Sequence, residues 1–157
     1  MTLVKNILLA EDDPRDVELT LSALAEHHLD NRVTVVHDGE QALDYLYRRG
    51  RFSARTAGNP ILLMLDLKMP KVDGLEVLKT IKADKALQSI PVVMLSSSRE
   101  TPDLAECYRH GVNAYVVKPV DFASFIEAVR QLGTFWAAIN EPPPHVRRGE
   151  EVLFVTT

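Results

Sequence analysis

Five short runs of continuously apolar residues alternate along this 157-residue chain with longer stretches of helical period: Ile7 to Ala10, Val33 to Val36, Ile61 to Leu65, Val92 to Leu95 and Ala114 to Val117. Four or five aliphatic or β-branched residues without polar alternation form a strand buried on both faces, and such strands belong to parallel sheets covered by helices. The intervening stretches repeat apolar residues every three or four positions: Val17, Leu21, Leu24; Ala42, Leu43, Leu46; Leu75, Leu78, Ile81; Leu104, Ala105, Tyr108; and Phe122, Phe125, Ile126, Val129, Leu132. The pattern predicts one α/β domain in which five helices cover a five-stranded parallel sheet. Right-handed crossovers then bring all the strand C-termini to one edge, where ligands of open α/β sheets bind.

Four of the runs end in reactive groups. The first leads into Glu11-Asp12-Asp13, the third into Asp66, the fourth into Ser96-Ser97-Ser98 and the fifth into Lys118-Pro119. An acidic pair, an aspartate, a hydroxyl and a lysine at one sheet edge describe a phosphoaspartate site with a divalent metal. Mg²⁺ takes oxygen ligands octahedrally and is usually held by one or two carboxylates plus waters and phosphate oxygens. A phosphoryl transfer needs positioning and charge neutralisation more than covalent chemistry, which a lysine opposite the metal supplies. Taken singly, each residue has a plainer role: the acids as helix caps, Ser96 as a loop hydroxyl, Lys118 as a surface charge. Their joint placement at one edge is what favours the site. Asp73-Gly74 reads as a turn and N-cap for the following helix.

The remaining composition narrows the class. With 46% hydrophobic and 25% charged residues the chain has material for one full core. A net charge of −4, with no helix-turn-helix or zinc spacing, argues against a nucleic-acid binder. One cysteine, Cys107, cannot form an internal disulfide; with no signal-peptide pattern and no run long enough to span a membrane, a cytoplasmic protein is expected. The basic connection from Arg48 to Pro60 reads as a solvated, mobile loop.

In its combination of acidic pair, Asp66-Leu67-Lys68-Met69-Pro70-Lys71-Val72-Asp73-Gly74, buried-strand hydroxyl and Lys118-Pro119, the chain resembles the receiver domain of two-component response regulators over roughly residues 3 to 139. The Glu-Asp-Asp-Pro start, Asp38-Gly39-Glu40-Gln41-Ala42-Leu43, the long basic loop and the Phe135-Trp136 ending are similar to stand-alone regulators paired with bacterial and cyanobacterial phytochromes. The resemblance implies a doubly wound, flavodoxin-like sheet of order 2-1-3-4-5. It implies Asp66 as phosphoacceptor; Glu11, Asp12, Asp66 and the Lys68 backbone carbonyl around Mg²⁺ (or Mn²⁺); Lys118 as the phosphate-contacting lysine, apart from the acidic metal ligands; and Ser96 with Tyr115 as the switch pair. It also implies a cis bond before Pro119, an influence of Lys68 and Ser98 on phosphoryl lifetime, and a sensor histidine kinase as phosphodonor.

Two rivals remain. Aspartate-nucleophile phosphatases share the strand-end aspartate but want a second Asp two residues on, where this chain has Lys68. A phosphorylation-independent docking module would have no need of the complete set Glu11, Asp12, Asp66, Ser96 and Lys118. Residues 1–139 are expected to form the receiver and 140–157 a tail led by Pro142-Pro143-Pro144, with no effector domain. The tail's apolar Val152-Leu153-Phe154-Val155 is expected to cross to a second subunit in a homodimer built on the fifth helix region.

Overall fold

The structure is a computed structural model that describes residues 6–26, 28–56, 58–97, 99–118 and 121–143. Strands β1 (Ile7–Ala10), β2 (Val33–Val36), β3 (Leu62–Asp66), β4 (Val92–Ser96) and β5 (Ala114–Val117) alternate with helices α1 (Pro14–Ala25), α2 (Gly39–Tyr47), α3 (Gly74–Ala83), α4 (Thr101–Arg109) and α5 (Phe122–Thr134). All neighbouring strands are parallel, in the expected order β2-β1-β3-β4-β5. Both β3 and β4 extend one residue past their apolar runs, because Asp66 pairs with Leu95 and Ser96 with Val117. The two polar residues therefore sit within the ladder.

Aspartates start four of the helices. Asp13, Asp38, Asp73 and Asp121 each accept a backbone N–H from the first turn of α1, α2, α3 and α5, satisfying donors that the helix leaves unpaired. Asp73 thus has the capping role read from the sequence.

The sheet divides the core in two. On one face Leu8, Leu63, Leu65, Val92 and Met94 pack against Ala42 and Leu46 of α2, Val77, Leu78 and Ile81 of α3, and Cys107 of α4. On the other, Ile7, Leu9, Leu62, Met64, Val93 and Leu95 pack against Ala23 and Leu24 of α1 and Phe125 and Val129 of α5. Truncating any of these central strand leucines to alanine is expected to cost about 2–5 kcal/mol. Strands β1, β3 and β4 are buried throughout, as their composition predicts, but β2 and β5 are only half-buried, since each lies at an edge with a single neighbour.

Three local expectations are corrected. In α4 the residue that reaches the core is Cys107, whereas Ala105 and Tyr108 are exposed, so the helix turns a different stripe inward than Leu104, Ala105 and Tyr108. Phe122, expected on the inner face of α5, is exposed at its start. The basic connection after α2 is anchored: the Arg55 guanidinium lies 4.2 Å over the Tyr45 ring and donates to the Tyr45 and Gly58 carbonyls, and Phe52 meets Tyr45 edge-on at 5.1 Å.

At the far edge of the sheet, Lys82 is half-buried and donates to the carbonyls of Gln88 and Ile90 and to Asn113 Oδ1, at 2.9 to 3.2 Å. Asn113 Oδ1 also accepts from Val92 N at 2.8 Å, tying this end of β4 in place. Burial lowers the Lys82 pKa.

After α5 the chain continues into a π-helical turn, Phe135–Ile139, closed by Asn140 N donating to Phe135 O at 2.7 Å. Phe135 and Ile139 are exposed there. Residues 144–157, Pro119 and Ser98 lie outside the described residues, and with them the expectations for the tail, the Lys118-Pro119 bond and Ser98.

Candidate functional site

The sheet backbone fixes the site residues. Glu11 follows β1 directly, and its N–H donates to Val36 O at 3.0 Å; Lys118 follows β5, and its N–H donates to Ser96 O at 2.7 Å. Ladder pairing thus runs one residue past each strand and leaves both side chains at the edge where β3 ends in Asp66. By strand alternation Glu11, Asp66 and Lys118 continue the rows Ile7-Leu9, Leu62-Met64 and Ala114-Val116, which lie on the face covered by α1 and α5.

The result is a compact charge cluster. Lys118 Nζ donates to Glu11 Oε2 at 2.8 Å, to Asp16 Oδ2 at 2.8 Å and to Asp66 Oδ2 at 3.4 Å. Lys118 therefore does not stand apart from the acidic pair, as the sequence reading expected; it is bonded to one member of it. The aliphatic stem of Lys118 carries the ammonium back across the sheet edge to β1, a reach that residue spacing alone does not reveal. Asp16, in the first turn of α1, was missed altogether, because an acid there reads as a complement to the helix dipole.

Burial sets the electrostatics. The Glu11 side chain is 3% exposed and that of Asp66 10%, against 27% for Asp16. Desolvation pushes the Glu11 carboxyl up to about 7, opposed by its hydrogen bond from Lys118, and likewise raises the Asp66 carboxyl above its ordinary value. Lys118 is raised despite its own burial, because the carboxylates of Asp16 and Glu11 accept its hydrogen bonds and Asp66 adds to the attraction.

Carboxylate oxygens of Glu11, Asp12 and Asp66 lie within 4.8 Å of one another, with Asp12 exposed and the other two buried. Three convergent hard oxygen donors fit Mg²⁺ or Mn²⁺. Asp13, next in sequence, is occupied as the cap of α1, its Oδ1 accepting from Arg15 N at 2.9 Å. The loop after β3 completes the rim: Lys68 N donates to Asp66 Oδ1 at 3.3 Å, and Val72 N closes onto Pro70 O at 2.8 Å around Lys71, whose φ is +65°.

Two glycines pin that loop. A Cβ on Gly74 would lie 2.2 Å from the Asp66 carbonyl oxygen, and one on Gly39 would lie 1.9 Å from that of Val72. The starts of α3 and α2 thus press directly on the backbone around Asp66.

Ser96 and Tyr115 belong to the opposite face. Ser96 is buried, and Tyr115 is half-buried against the cluster that holds Met94 and Cys107. Since Met94 pairs with Tyr115 and Ser96 with Val117, the hydroxyl lies one strand over and two residues along from the ring on the same face.

Comparison with known proteins agrees with this geometry. The family profile described as response regulator receiver domain matches residues 7–130. The response regulator Rcp1 of Synechocystis is 34% identical over 132 residues, covering 84% of this chain and 88% of Rcp1, and its Mn²⁺-bound crystal structure superposes with a TM-score of 0.83 over 89% of this chain and 99% of that one. The phosphorylated cyanobacterial phytochrome response regulator RcpA, at 36% identity, has the same TM-score and coverage. The bacteriophytochrome response regulator RtBRR is 59% identical, with a TM-score of 0.72 over 91% of this chain and 86% of that one. Sheet order, strand-end chemistry and relatives thus agree, and the chain belongs to the response regulator receiver domain family, whose members are phosphoacceptors of two-component signalling.

Proposed function

We propose that this chain accepts a phosphoryl group on Asp66 from a sensor histidine kinase, in a Mg²⁺-dependent reaction, and signals by a change in its protein-binding face. The observation that carries this reading is the buried strand-end Asp66 with Lys118 Nζ 3.4 Å from one oxygen and the carboxylates of Glu11 and Asp12 beside it. An Asp66 Oδ lone pair attacks the phosphorus of a phosphohistidine; the P–O bond forms as the P–N bond breaks, and the imidazole leaves with the electron pair. Lys118 offers its ammonium to the transferring oxygens, while Glu11, Asp12, Asp66 and the Lys68 carbonyl would hold the cation. When bound, the cation neutralises charge gathering on the phosphoryl oxygens.

The acyl phosphate adds negative charge and acceptor oxygens beside β4. Ser96 turns its hydroxyl toward them, and the Tyr115 ring follows into the space behind the strand. The surface of α4, β5 and α5 changes as a result. A phytochrome-type kinase is the proposed partner, supported by 59% identity to RtBRR and by the likeness to RcpA. The protein is proposed to be cytoplasmic and not to bind nucleic acid. No helix among the described residues is long and apolar enough to cross a membrane. A homodimer through the α5 region, with residues 140–157 as an exchanged arm, completes the proposal and has exposed Phe135 and Ile139 in its favour.

Acetyl phosphate with Mg²⁺ tests the core of this reading. One acid-labile phosphoryl group is expected on the wild-type chain and none on Asp66→Asn; undiminished labelling of that variant refutes the assignment. Asp12→Ala is expected to abolish the Mg²⁺ response. Deleting residues 141–157 is expected to weaken dimerisation in solution, and a truncated chain that dimerises as tightly as the full one excludes the exchanged arm.

A further inference from the structure

We propose that the segment folding back along α2 presents Arg49 and Arg51 as a docking surface for an acidic helix of a partner protein, one that carries carboxylates three or four residues apart. Residues 45–65 hold four arginines and no acidic side chain, so the net charge of −4 is +4 here and −8 in the rest of the chain. A concentrated cation on an otherwise acidic molecule attracts and orients an anionic partner.

The backbone sets the patch in place. Arg48 leaves α2 in the left-handed region, with φ +54°, and Arg49 N donates to Asp44 O at 3.0 Å. Gly50, with φ +60°, opens a 3₁₀ turn, Gly50–Phe52, in which Phe52 N donates to Arg49 O at 3.1 Å. The chain therefore runs back beside the helix. Arg49 Nε donates to Asp44 Oδ1 at 2.7 Å, and Arg51 Nη2 to Gln41 Oε1 at 3.3 Å. Gln41 and Asp44 are neighbours on one face of α2, so the two guanidinium groups are set about one helical turn from each other. Each also lies over a half-buried ring, Arg49 5.2 Å from Tyr47 and Arg51 4.6 Å from Phe52.

Anchoring the loop does not require these two. Arg55 does that over Tyr45, whereas Arg49 and Arg51 are exposed. Asp44 offsets the charge of Arg49, but the neutral Gln41 leaves that of Arg51 whole. A guanidinium has five N–H donors, and one contact each to Asp44 and Gln41 leaves most of them without a partner among the described residues. Carboxylates take such forks through two N–H groups at once. Two forks one turn apart match acids at i and i+3 or i+4 of a helix, which are roughly 5–6 Å apart. Nucleic acid fits worse, because a phosphate backbone would run on from two arginines onto the surface that carries the remaining −8.

The test uses two fluorescein-labelled, stapled helical peptides of equal composition, one with glutamates at i and i+4 along one face and one with the same glutamates spread around the helix. Anisotropy at low salt is expected to show the wild-type chain binding the first more tightly. Arg51→Gln should weaken that binding roughly fivefold, the upper worth of one exposed ion pair. Lys79→Gln, which removes a cation paired with Glu76 on α3, should leave it unchanged. Arg51→Glu should lose the acidic peptide and gain a lysine version of it, a gain that no folding defect produces. Equal affinity for the two peptides overturns the proposal, as does an equal loss in Lys79→Gln. A duplex oligonucleotide bound as tightly as the first peptide would make phosphate the ligand and overturn it too. So would a mass in solution that falls when Arg51 is replaced, which would assign the surface to a second copy of this chain.

Discussion

Removing the Lys118 ammonium should reveal how much the resting pocket depends on it. In Lys118→Ala the carboxylates of Glu11 and Asp66 lose a cation 2.8 and 3.4 Å away while staying almost wholly buried, and Asp16 loses one at 2.8 Å but faces water. Breaking a buried ion pair by deleting one partner typically costs about 3–5 kcal/mol. Two features place this case at the lower end: Asp16 rehydrates, and Glu11, already pushed up to about 7, can take a proton. A loss of about 3 kcal/mol is therefore expected, which for a chain of this size lowers Tm by roughly 6–12 °C.

Mg²⁺ supplies the distinguishing assay. In the wild-type chain a cation entering among Glu11, Asp12 and Asp66 competes with the ammonium for Glu11 and Asp66; in the variant it meets unpaired carboxylates. Ligand that binds only the folded state raises stability with its affinity, so thermal melts with EDTA and with Mg²⁺ should show a larger metal-induced rise in the variant. A metal-free variant that melts within about 2 °C of wild type, or an equal Mg²⁺ increment in both proteins, would refute this account of the pocket.

Other expectations follow from single groups. Glu11, raised from 4.5 to about 7 mainly by burial, holds its proton more tightly folded than unfolded. Metal-free protein should therefore gain up to about 3 kcal/mol of stability as pH falls from about 7 toward 4.5, and lose it as pH rises again; chemical denaturation in EDTA that shows no gain over this range would contradict the assignment. Gly39→Ala would set a Cβ 1.9 Å from the Val72 carbonyl and should destabilise the protein by about 1–3 kcal/mol, read as a lower denaturation midpoint; an unchanged midpoint would mean that α2 does not brace the loop. Cys107, fully buried, has its thiol pushed up to about 11 by burial and by the nearby acids Asp103, Glu106 and Asp73. It should resist iodoacetamide in native protein at about pH 8 and react after unfolding, since only the thiolate is nucleophilic; native alkylation at the rate of a free thiol would contradict this.

The sheet and the members of its active edge were legible because continuous apolar runs specify strands, and parallel crossovers leave no choice about which ends meet. Asp66 and Ser96 were found from the residues that interrupt those runs. What stayed hidden depended on reach and on side-chain stems. Asp16 has a local explanation as a first-turn acid, and only the structure brings it within 2.8 Å of Lys118. Arg55 reads as a solvated charge, yet a guanidinium is weakly hydrated and flat enough to lie over Tyr45. On α4, two stripes compete, and the choice of Cys107 over Tyr108 is set by how the helix rests on β4 and β5, information that helical period does not contain.

Lys82 and Lys118 give the two edges of the sheet different characters. The Lys118 ammonium is largely withdrawn from water and Lys82 is half-buried, and each has three oxygen acceptors. Those around Lys82 are neutral amide oxygens, two of them backbone, whose own positions are fixed by the chain; they carry no charge to set against desolvation, and burial lowers the lysine's pKa. Those around Lys118 are carboxylates, which hold it more strongly and raise its pKa, but which have other cations to accept. The first edge works as a hinge pin and the second as an ion exchanger. A fold that must stay intact while one pocket trades lysine, metal and phosphoryl charge has reason to keep the two at opposite ends of the same strands.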